Sequence, residues 1–404
     1  MLDDTTMAVP ALVMPDDGVQ VLIRTAVRGA VRGAIEAAVE AELTAALGRA
    51  AWERAATATG YRHGTVLRTL VTSAGPVTLA VPRGRLRQAD GTTQEWRTTV
   101  LERYARRTPA LDATLARLYL SGASTRDLRR AVAPLFGAQA LSKSAVSRVV
   151  ARLQAEYRAW QQRSLADEPI AYLYLDGQRH RVRADGRTTW VSVLMALGVR
   201  ITGEKVVLAM RIVGDEQTAA WAQLLEDLTH RGLARPQLVL SDGSKGAAAA
   251  LERTWSGIAH QRCLVHKLRN LIACVPRALR GAVVRDFQTI TTAATPAAVH
   301  AALARFRRTW MLKWSAVVVS LDEAGATLTT FTAFPPAQWT CLRTTNAIER
   351  IFTEFRRRTK TQGVLPTPEA VLTVLWGTLA TGGIRLRKLH GYQTITDTTR
   401  QLAA

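Results

Sequence analysis

The spacing of apolar and polar positions changes along the chain, and each change predicts a different kind of element. Residues 19–58 are rich in Ala, Val and Glu at helical spacing and predict two helices around Gly48. The stretch 60–87, GYRHGTVLRTLVTSAGPVTLAVPRGRLR, switches to β-branched residues around Gly75-Pro76 and predicts a hairpin with basic strands. Helical spacing returns over 108–160. There STRDLRRAVAPLF opens at Ser124 with Asp127 three positions on, a variant of the capping box. A turn through Gly137 follows, and LSKSAVSRVVARLQAEYRAW starts at Ser142 with Val146, Val149 and Leu153 on one face. Residues 1–17 contain proline and predict no element.

After Pro169 the pattern becomes that of an α/β protein. IAYLYLDG reads as a buried strand ending at Asp176-Gly177. TTWVSVLMALGV and KVVLAMRIVG read as two further strands, set off by turns at Asp185-Gly186 and Thr202-Gly203. DEQTAAWAQLLEDLTHRGL is an amphipathic helix; the strand QLVLSDG, a helix over 245–255 and a short strand IAHQRC follow. Three hairpin-linked strands followed by alternating helices and strands is the order of a ribonuclease H-like fold. In that fold the first and fourth strands lie side by side, which would bring Asp176 and Asp242 together at adjacent strand ends. Residues 264–340 break the rhythm and read as a helical insertion containing Trp310, Trp314 and Trp339.

The chain then gives CLRTTNAIERIFTEFRRRTKTQG. A helix starting near Asn346 would bury Ile348, Ile351, Phe352 and Phe355. Glu349, Thr353, Arg356 and Lys360 recur at helical spacing on another face, so one carboxylate near the helix start shares a face with cations further along.

Charge decides what these elements are for. Lys plus Arg number 54 against 32 Asp plus Glu, a net charge of +22, and the pI is near 11.1. Such an excess suits a polyanion, nucleic acid above all. With that, the Ser124 and Ser142 helices read as a helix-turn-helix rather than a plain helical hairpin. Its second helix would present Lys143, Ser144, Ser147 and Arg148 to base edges, and Arg126 lies on the first. Three cysteines make no disulfide framework and fit a reducing cytoplasm. The start, Met1-Leu2-Asp3-Asp4, with its first basic residue at Arg24, is unlike a signal or transit peptide. No apolar run approaches the ~18 residues of a membrane span.

Two Asp and one Glu brought together suit two Mg²⁺ ions, because hard divalent cations take oxygen ligands. Two ions ~3.5–4 Å apart can serve the attacking and leaving oxygens of an in-line phosphoryl transfer. Taken singly, Asp176 and Asp242 could each be a strand-terminating turn residue, and Glu349 could close a capping box with Asn346. Their joint occurrence in this strand order, in a basic chain, favours the metal reading. A phosphatase of the haloacid dehalogenase type would need an Asp two residues after Asp176, where this chain has Gln178.

LYLDG, VLSDGSKG, QRCLVHKLRN and RTTNAIERIFTEFRRRTK together resemble the Mutator-type transposases of bacterial insertion sequences. GYRHGTV…TLAVPRGR and YLSGASTRDL…LSKSAVSRV resemble the amino-terminal parts of that family, in the same order. The resemblance implies a ribonuclease H-like catalytic domain interrupted by helices and an Asp-Asp-Glu triad using Mg²⁺, with Mn²⁺ able to substitute. The triad maps to Asp176, Asp242 and Glu349, spaced by 66 and 107 positions. The resemblance also implies a Cys-x-x-His element, here Cys263 and His266. Such a pair is at most half a zinc site, so these residues, with Asn346, are read as supporting the active site.

The expected layout is a helical segment over 1–58, a β-rich basic segment over 59–107 and a helix-turn-helix DNA-binding region over 108–165. The catalytic domain would follow over 166–263 and 341–404, with the insertion at 264–340 between its parts. The expected activity is cleavage and strand transfer at the inverted-repeat ends of an insertion sequence. Arg356, Arg357 and Lys360 would hold phosphodiester, the partners would be end and target DNA, and a cytoplasmic homo-oligomer would hold both ends. The rivals are a ribonuclease H-like nuclease without strand transfer and a helix-turn-helix regulator with a degenerate catalytic domain.

Overall fold

The structure is a computed structural model that describes residues 18–54, 58–123, 128, 130, 132, 143–184, 186–214, 216–360 and 364–395. The chain divides into two compact units: Met1–Leu118 with Ser124–Val149, and Tyr119–Ala123 with Val150–Ala404. The fold is mixed α/β with two sheets.

The first unit is built on one long helix, α1 (Gly18–Leu47), and a three-stranded antiparallel sheet of β1 (Gly60–Thr72), β2 (Gly75–Arg87) and β3 (Thr93–Glu95). Val39 of α1 joins Leu70, Val77, Leu79 and Leu101 in its core. The Glu36 carboxylate of α1 accepts the Ala80 N–H of β2 at 2.7 Å. The second helix expected after Gly48 does not form among the described residues. Gly48 adopts φ +64° and ends α1 in the left-handed conformation that stops helices, and residues 49–54 make turns. The 60–87 hairpin forms as expected, with Thr72 paired to Gly75 across its turn.

Helix α2 spans Pro109–Leu120, and α3 spans Lys143–Gln161. Val146, Val149 and Leu153 are buried along one face of α3, as their spacing predicts, while Ser147 and Arg148 are exposed. Ser124, Arg126, Asp127, Gly137 and Ser142 lie outside the described residues, as do the side chains of Lys143 and Ser144.

The second unit contains a five-stranded sheet in the order β6-β5-β4-β7-β8. Its strands are β4 (Ile170–Ala184), β5 (Arg187–Arg200), β6 (Lys205–Val213), β7 (Leu238–Ser241) and β8 (His260–Arg262). β4, β5 and β6 are an antiparallel meander; β4 pairs β7 in parallel through Tyr172–Leu238 and Tyr174–Leu240. The first and fourth strands of this unit are therefore neighbours, as expected. β4 does not end at Asp176, however. It continues to Ala184, with Asp176 opposite Met195 of β5. Beyond Gly177 the strand alternates: His180 and Val182 point inward, while Arg179, Arg181 and Arg183 point outward. That is the period of a half-buried strand, written with arginine on its wet face.

The two faces of β4 have different company. Leu173 and Leu175 pack with Trp221, Leu225, Leu228, Ala247 and Leu251 of α4 (Thr218–His230) and α5 (Lys245–Thr254). Tyr172, Tyr174, Asp176, His180 and Val182 point the other way, toward the carboxy-terminal part of the chain. The Tyr172 hydroxyl lies 2.6 Å from Gln338 Oε1, the Tyr174 hydroxyl donates to the Cys341 carbonyl at 3.0 Å, and Val182 bridges Leu365. Between β8 and that part run α6 (Leu264–Ala273), α7 (Arg277–Thr291), α8 (Pro296–Lys313), α9 (Ser315–Asp322) and α10 (Trp339–Leu342). Residues 264–340 are thus largely helical, with Phe287 meeting Phe306 edge-on and Phe306 tilted against Trp310 at their centre.

α11 (Asn346–Thr359) then packs on β4, and α12 (Pro368–Ala380) packs on β4 and β6. α11 buries Ile348, Ile351, Phe352 and Phe355, the face its spacing predicts. Each such side chain contributes about 1.5–3 kcal/mol of burial. His180 of β4 fits between the two phenylalanines, with ring centroids 5.9 Å from Phe352 and 5.3 Å from Phe355. Among the described residues no helix is long and apolar enough to cross a membrane.

Burial, reinforced by the nearby Arg356 charge, lowers the His180 pKa from 6.5 to about 4. The folded value lies below the unfolded one, so the unfolded chain binds the proton first as pH falls. Stability is then full above pH 6.5, declines as pH falls toward 4, and levels off below. The decline should amount to about 3 kcal/mol, at 1.36 kcal/mol per unit. Urea unfolding of wild type and His180→Leu between pH 7 and 4.5 should show the two profiles diverging in that window. Parallel profiles would mean that His180 does not resist protonation.

Candidate active site

Asp176 is only 5% exposed, on the face of β4 that meets α11. Its Oδ1 accepts the Gly177 N–H at 2.9 Å. Burial raises its pKa from 3.8 to about 7. The His266 charge opposes this rise, the Asp242 charge adds to it, and hydrogen bonds from Gly177 N–H and the Thr345 hydroxyl oppose it. A buried carboxylate held this far up is one that lacks sufficient positive charge.

Glu349 reaches the same place from the first turn of α11. Its Oε1 lies 3.4 Å from His266 Nε2 and 3.1 Å from the Arg269 guanidinium, both on α6. The capping-box alternative does not form. Asn346 is the first residue inside the helix, Thr345 holds the cap position, and the cap has no side-chain hydrogen bond. One ligand atom each from Asp176, His266 and Glu349 lie within 4.8 Å of one another.

Asp242 stands beside this group but outside it. Tyr174 and Leu240 are the last parallel pair, so Asp176 and Asp242 each sit two residues beyond it. β7 stops there. Gly243 turns the chain at φ +79°, and Asp242 Oδ1 accepts the Ser244 N–H at 2.8 Å. Ser244 in turn caps α5 by accepting the Ala247 N–H. Asp242 thus serves as a turn residue, while its charge acts on Asp176.

Cys263 and His266 join the pieces. Cys263 is buried at the start of α6; its N–H donates to the Ser241 carbonyl at 2.7 Å, and its sulfur accepts the Thr345 N–H at 3.4 Å. One residue thereby links the end of β7 to the start of α11. Burial pushes its thiol up, but hydrogen bonds from His266 and Thr345 more than offset this and leave it lowered. The hydrogen bond to Cys263 raises the His266 pKa to about 9 against the penalty of burial, with the charges of Cys263, Asp176 and Glu349 adding to the rise. His266 therefore stands as a cation between the two carboxylates.

Sequence reasoning placed His266 as support and did not place its ring among the acids. The signal was one helical turn: Cys263, His266 and Arg269 recur every third residue and face α11. It also missed Glu216. A Cβ on Gly177 would lie 2.6 Å from the Glu216 carboxylate, so a further acid presses on the backbone next to Asp176. An ion network adjoins the Asp242 turn: the fully buried Lys267 meets the exposed Glu323 at 3.2 Å, and Arg262 meets it at 3.7 Å. Of the cations expected to hold DNA, Arg356 and Lys360 are exposed, and Arg357 is paired with Glu354 at 2.7 Å.

A family model described as "Transposase, Mutator family" matches residues 13–381. The chain belongs to the Mutator family of transposases. It is 34% identical over 330 residues to the transposase for insertion sequence element ISRM5 of Rhizobium meliloti, covering 82% of this chain and 81% of that one. It is 34% identical over 328 residues to the transposase for IS1081 of Mycobacterium tuberculosis, covering 81% and 76%. It is 31% identical over 323 residues to the transposase for IS256 in transposon Tn4001 of Staphylococcus aureus, covering 78% and 79%. These similarities make the protein a transposase, an enzyme of transposable elements, and the carboxylate cluster lies within the matched region.

Gly243 is the tightest point of this transposase site. Its φ is +79°, and a Cβ there would run into the Arg262 side chain. Gly243→Ala should cost at least about 1–2 kcal/mol from the left-handed backbone alone and should displace the Asp242 turn. Denaturant unfolding reads the loss; an unchanged midpoint would mean that the turn relaxes freely.

Proposed function

We propose that this transposase binds the terminal inverted repeats of its element and performs metal-dependent cleavage and strand transfer at one site. In this reading its second unit is a ribonuclease H-like catalytic domain with a helical insertion at 264–340. Its active site is Asp176, Asp242 and Glu349. The observation that carries the reading is the approach of Asp176 and Glu349, far apart in sequence, beside an Asp242 that shares the register of Asp176.

The donor set suits a hard divalent cation such as Mg²⁺ or Mn²⁺: carboxylate oxygens predominate, and the most buried of them is raised for want of positive charge. Mg²⁺ bound there supplies Lewis acidity at the phosphoryl oxygens and lowers the pKa of water. Asp176 and Glu349 would hold it from two sides and Asp242 from the end of β7. His266 and Arg269 would keep Glu349 in place and balance charge. Arg356, Arg357 and Lys360, further along α11, would hold the phosphodiester strand.

In the first step a water oxygen bonds to phosphorus, the bond to the 3′ oxygen breaks, and that oxygen leaves as a 3′-OH. In the second step that 3′-OH attacks a phosphodiester of the target and releases its 3′ oxygen. Neither step needs a covalent enzyme intermediate. Both ends must be present for joining, which favours a homo-oligomer acting on DNA in the cytoplasm.

Asp176→Asn, Asp242→Asn and Glu349→Gln each keep side-chain shape and remove one negative charge. Each should leave the protein folded and DNA-binding while cleavage and joining fall together by more than about 100-fold, since even an outer partner of a metal ligand is worth 10–100-fold. A labelled element end on a gel reads both steps. Near-normal cleavage by Glu349→Gln would remove Glu349 from the mechanism. Cleavage without joining by the wild type would leave a plain nuclease.

End recognition is assigned to the helix-turn-helix with α3 as its reading helix. Arg148→Ala in the full chain should lower the preference for element ends over random duplex by about 1–3 kcal/mol, if the residue contacts a base. Competition binding measures it, and an unchanged preference would place sequence reading elsewhere.

A further inference from the structure

Beside the carboxylate cluster lies a cavity of about 240 Å³ that none of the chemistry above uses. Tyr174, Lys205, Asn346, Arg350, Arg385 and Arg387 line it, and no Asp or Glu does. Among the described residues, none of its four cations has a carboxylate within 4.0 Å. The cations come from three separate elements: Lys205 from the start of β6, Arg350 from α11, and Arg385 and Arg387 from the segment after α12. The Lys205 ammonium donates to the Arg387 carbonyl at 2.7 Å, which ties two of these elements together. Burial holds Lys205 below its ordinary range, as expected of a cation without an anion. Arg350, Arg385 and Arg387 are exposed, so water and salt screen their mutual repulsion in part, and an anion entering the cavity would offset the rest.

The position of the cavity says which anion. Tyr174 is two residues before Asp176 on the same face of β4, and Asn346 is one helical turn before Glu349. Two residues along a strand span about 6.6 Å, which is close to the through-space separation of neighbouring phosphates on one DNA strand. The volume is below the ~300–1,000 Å³ of pockets for larger ligands, a size for a phosphate with part of its sugar.

We propose that this cavity binds the backbone phosphate of the DNA strand next to the phosphate being cut, and so fixes the strand's register at the carboxylates. The proposal rests on the transposase reading, and the two can fail separately.

The test uses the full-length protein and a duplex carrying the inverted repeat that flanks its gene. Arg385→Gln/Arg387→Gln should lower the log–log salt slope of binding by about one for each phosphate no longer neutralised. Arg385→Lys/Arg387→Lys, which keeps the charge, should restore most of it. A scan with single neutral methylphosphonate linkages should weaken wild-type binding at one position near the cleavage point. The Gln variant should be indifferent at that position alone, whereas a merely misfolded variant would bind every duplex poorly. An unchanged slope and an unchanged scan would overturn the pocket and leave the transposase reading standing. A thermal shift with inorganic phosphate that the Gln variant loses, beside an unchanged DNA slope, would make the ligand a free anion and overturn the DNA assignment. Wild-type protein that does not bind the duplex would overturn both.

Discussion

One face of one strand organises the second unit. The pleat of β4 puts Tyr172, Tyr174, Asp176, His180 and Val182 on a single side, and the carboxy-terminal segments meet that side residue by residue. Glu349 can approach Asp176 only because Phe352 and Phe355 seat α11 against His180, one and two turns further along. A slip of one residue in β4 would turn every one of these side chains to the opposite face, against α4 and α5. The hairpin with β5, fourteen residues of strand on its far side, opposes such a slip. The geometry of the acids is therefore set by strand register first and by local contacts afterwards.

Several parts of this arrangement were legible in the sequence because each is a local period. The buried face of α11 follows from Ile348, Ile351, Phe352 and Phe355 at helical spacing. The neighbourhood of β4 and β7 follows from the order of hairpins and crossovers, which leaves few alternatives. The continuation of β4 past Asp176 was not legible: Gly177 looks like a stop, and Arg179, Arg181 and Arg183 hide the inward positions between them. Composition also predicts a second helix after Gly48, which does not form among the described residues. Ala-rich composition continued past the glycine, but the left-handed turn there decides the matter. Tertiary contacts were least legible. That His266 lies between Asp176 and Glu349 depends on the path of α6 after β8, and no period in the sequence records that path.

The placement of Cys263 shows how the chain holds such distant parts together. It lies between Ser241, at the end of β7, and Thr345, just before α11. The helices between residues 264 and 340 thus leave and return through one point, and their internal packing around Phe287, Phe306 and Trp310 need not disturb the acids. Glu323 supplies a second tie by returning from the helical region to Arg262 and Lys267.

The burial of Asp176 opposes the stability of this fold. A buried carboxylate costs several kcal/mol of lost solvation, and Asp176 is raised to about 7 by burial with the Asp242 charge adding to the rise. Apolar residues of similar size would pack the same space at lower cost. The nearby cations reduce the penalty without removing it: the His266 charge acts on Asp176, while Arg269 pairs with Glu349. A protein with a net charge of +22 has cations to spare, yet leaves its most buried acid undercompensated. That imbalance has no structural benefit in the resting chain. It is the electrostatic condition under which a site gains most from an added divalent cation, which is what the proposed role of Asp176 requires.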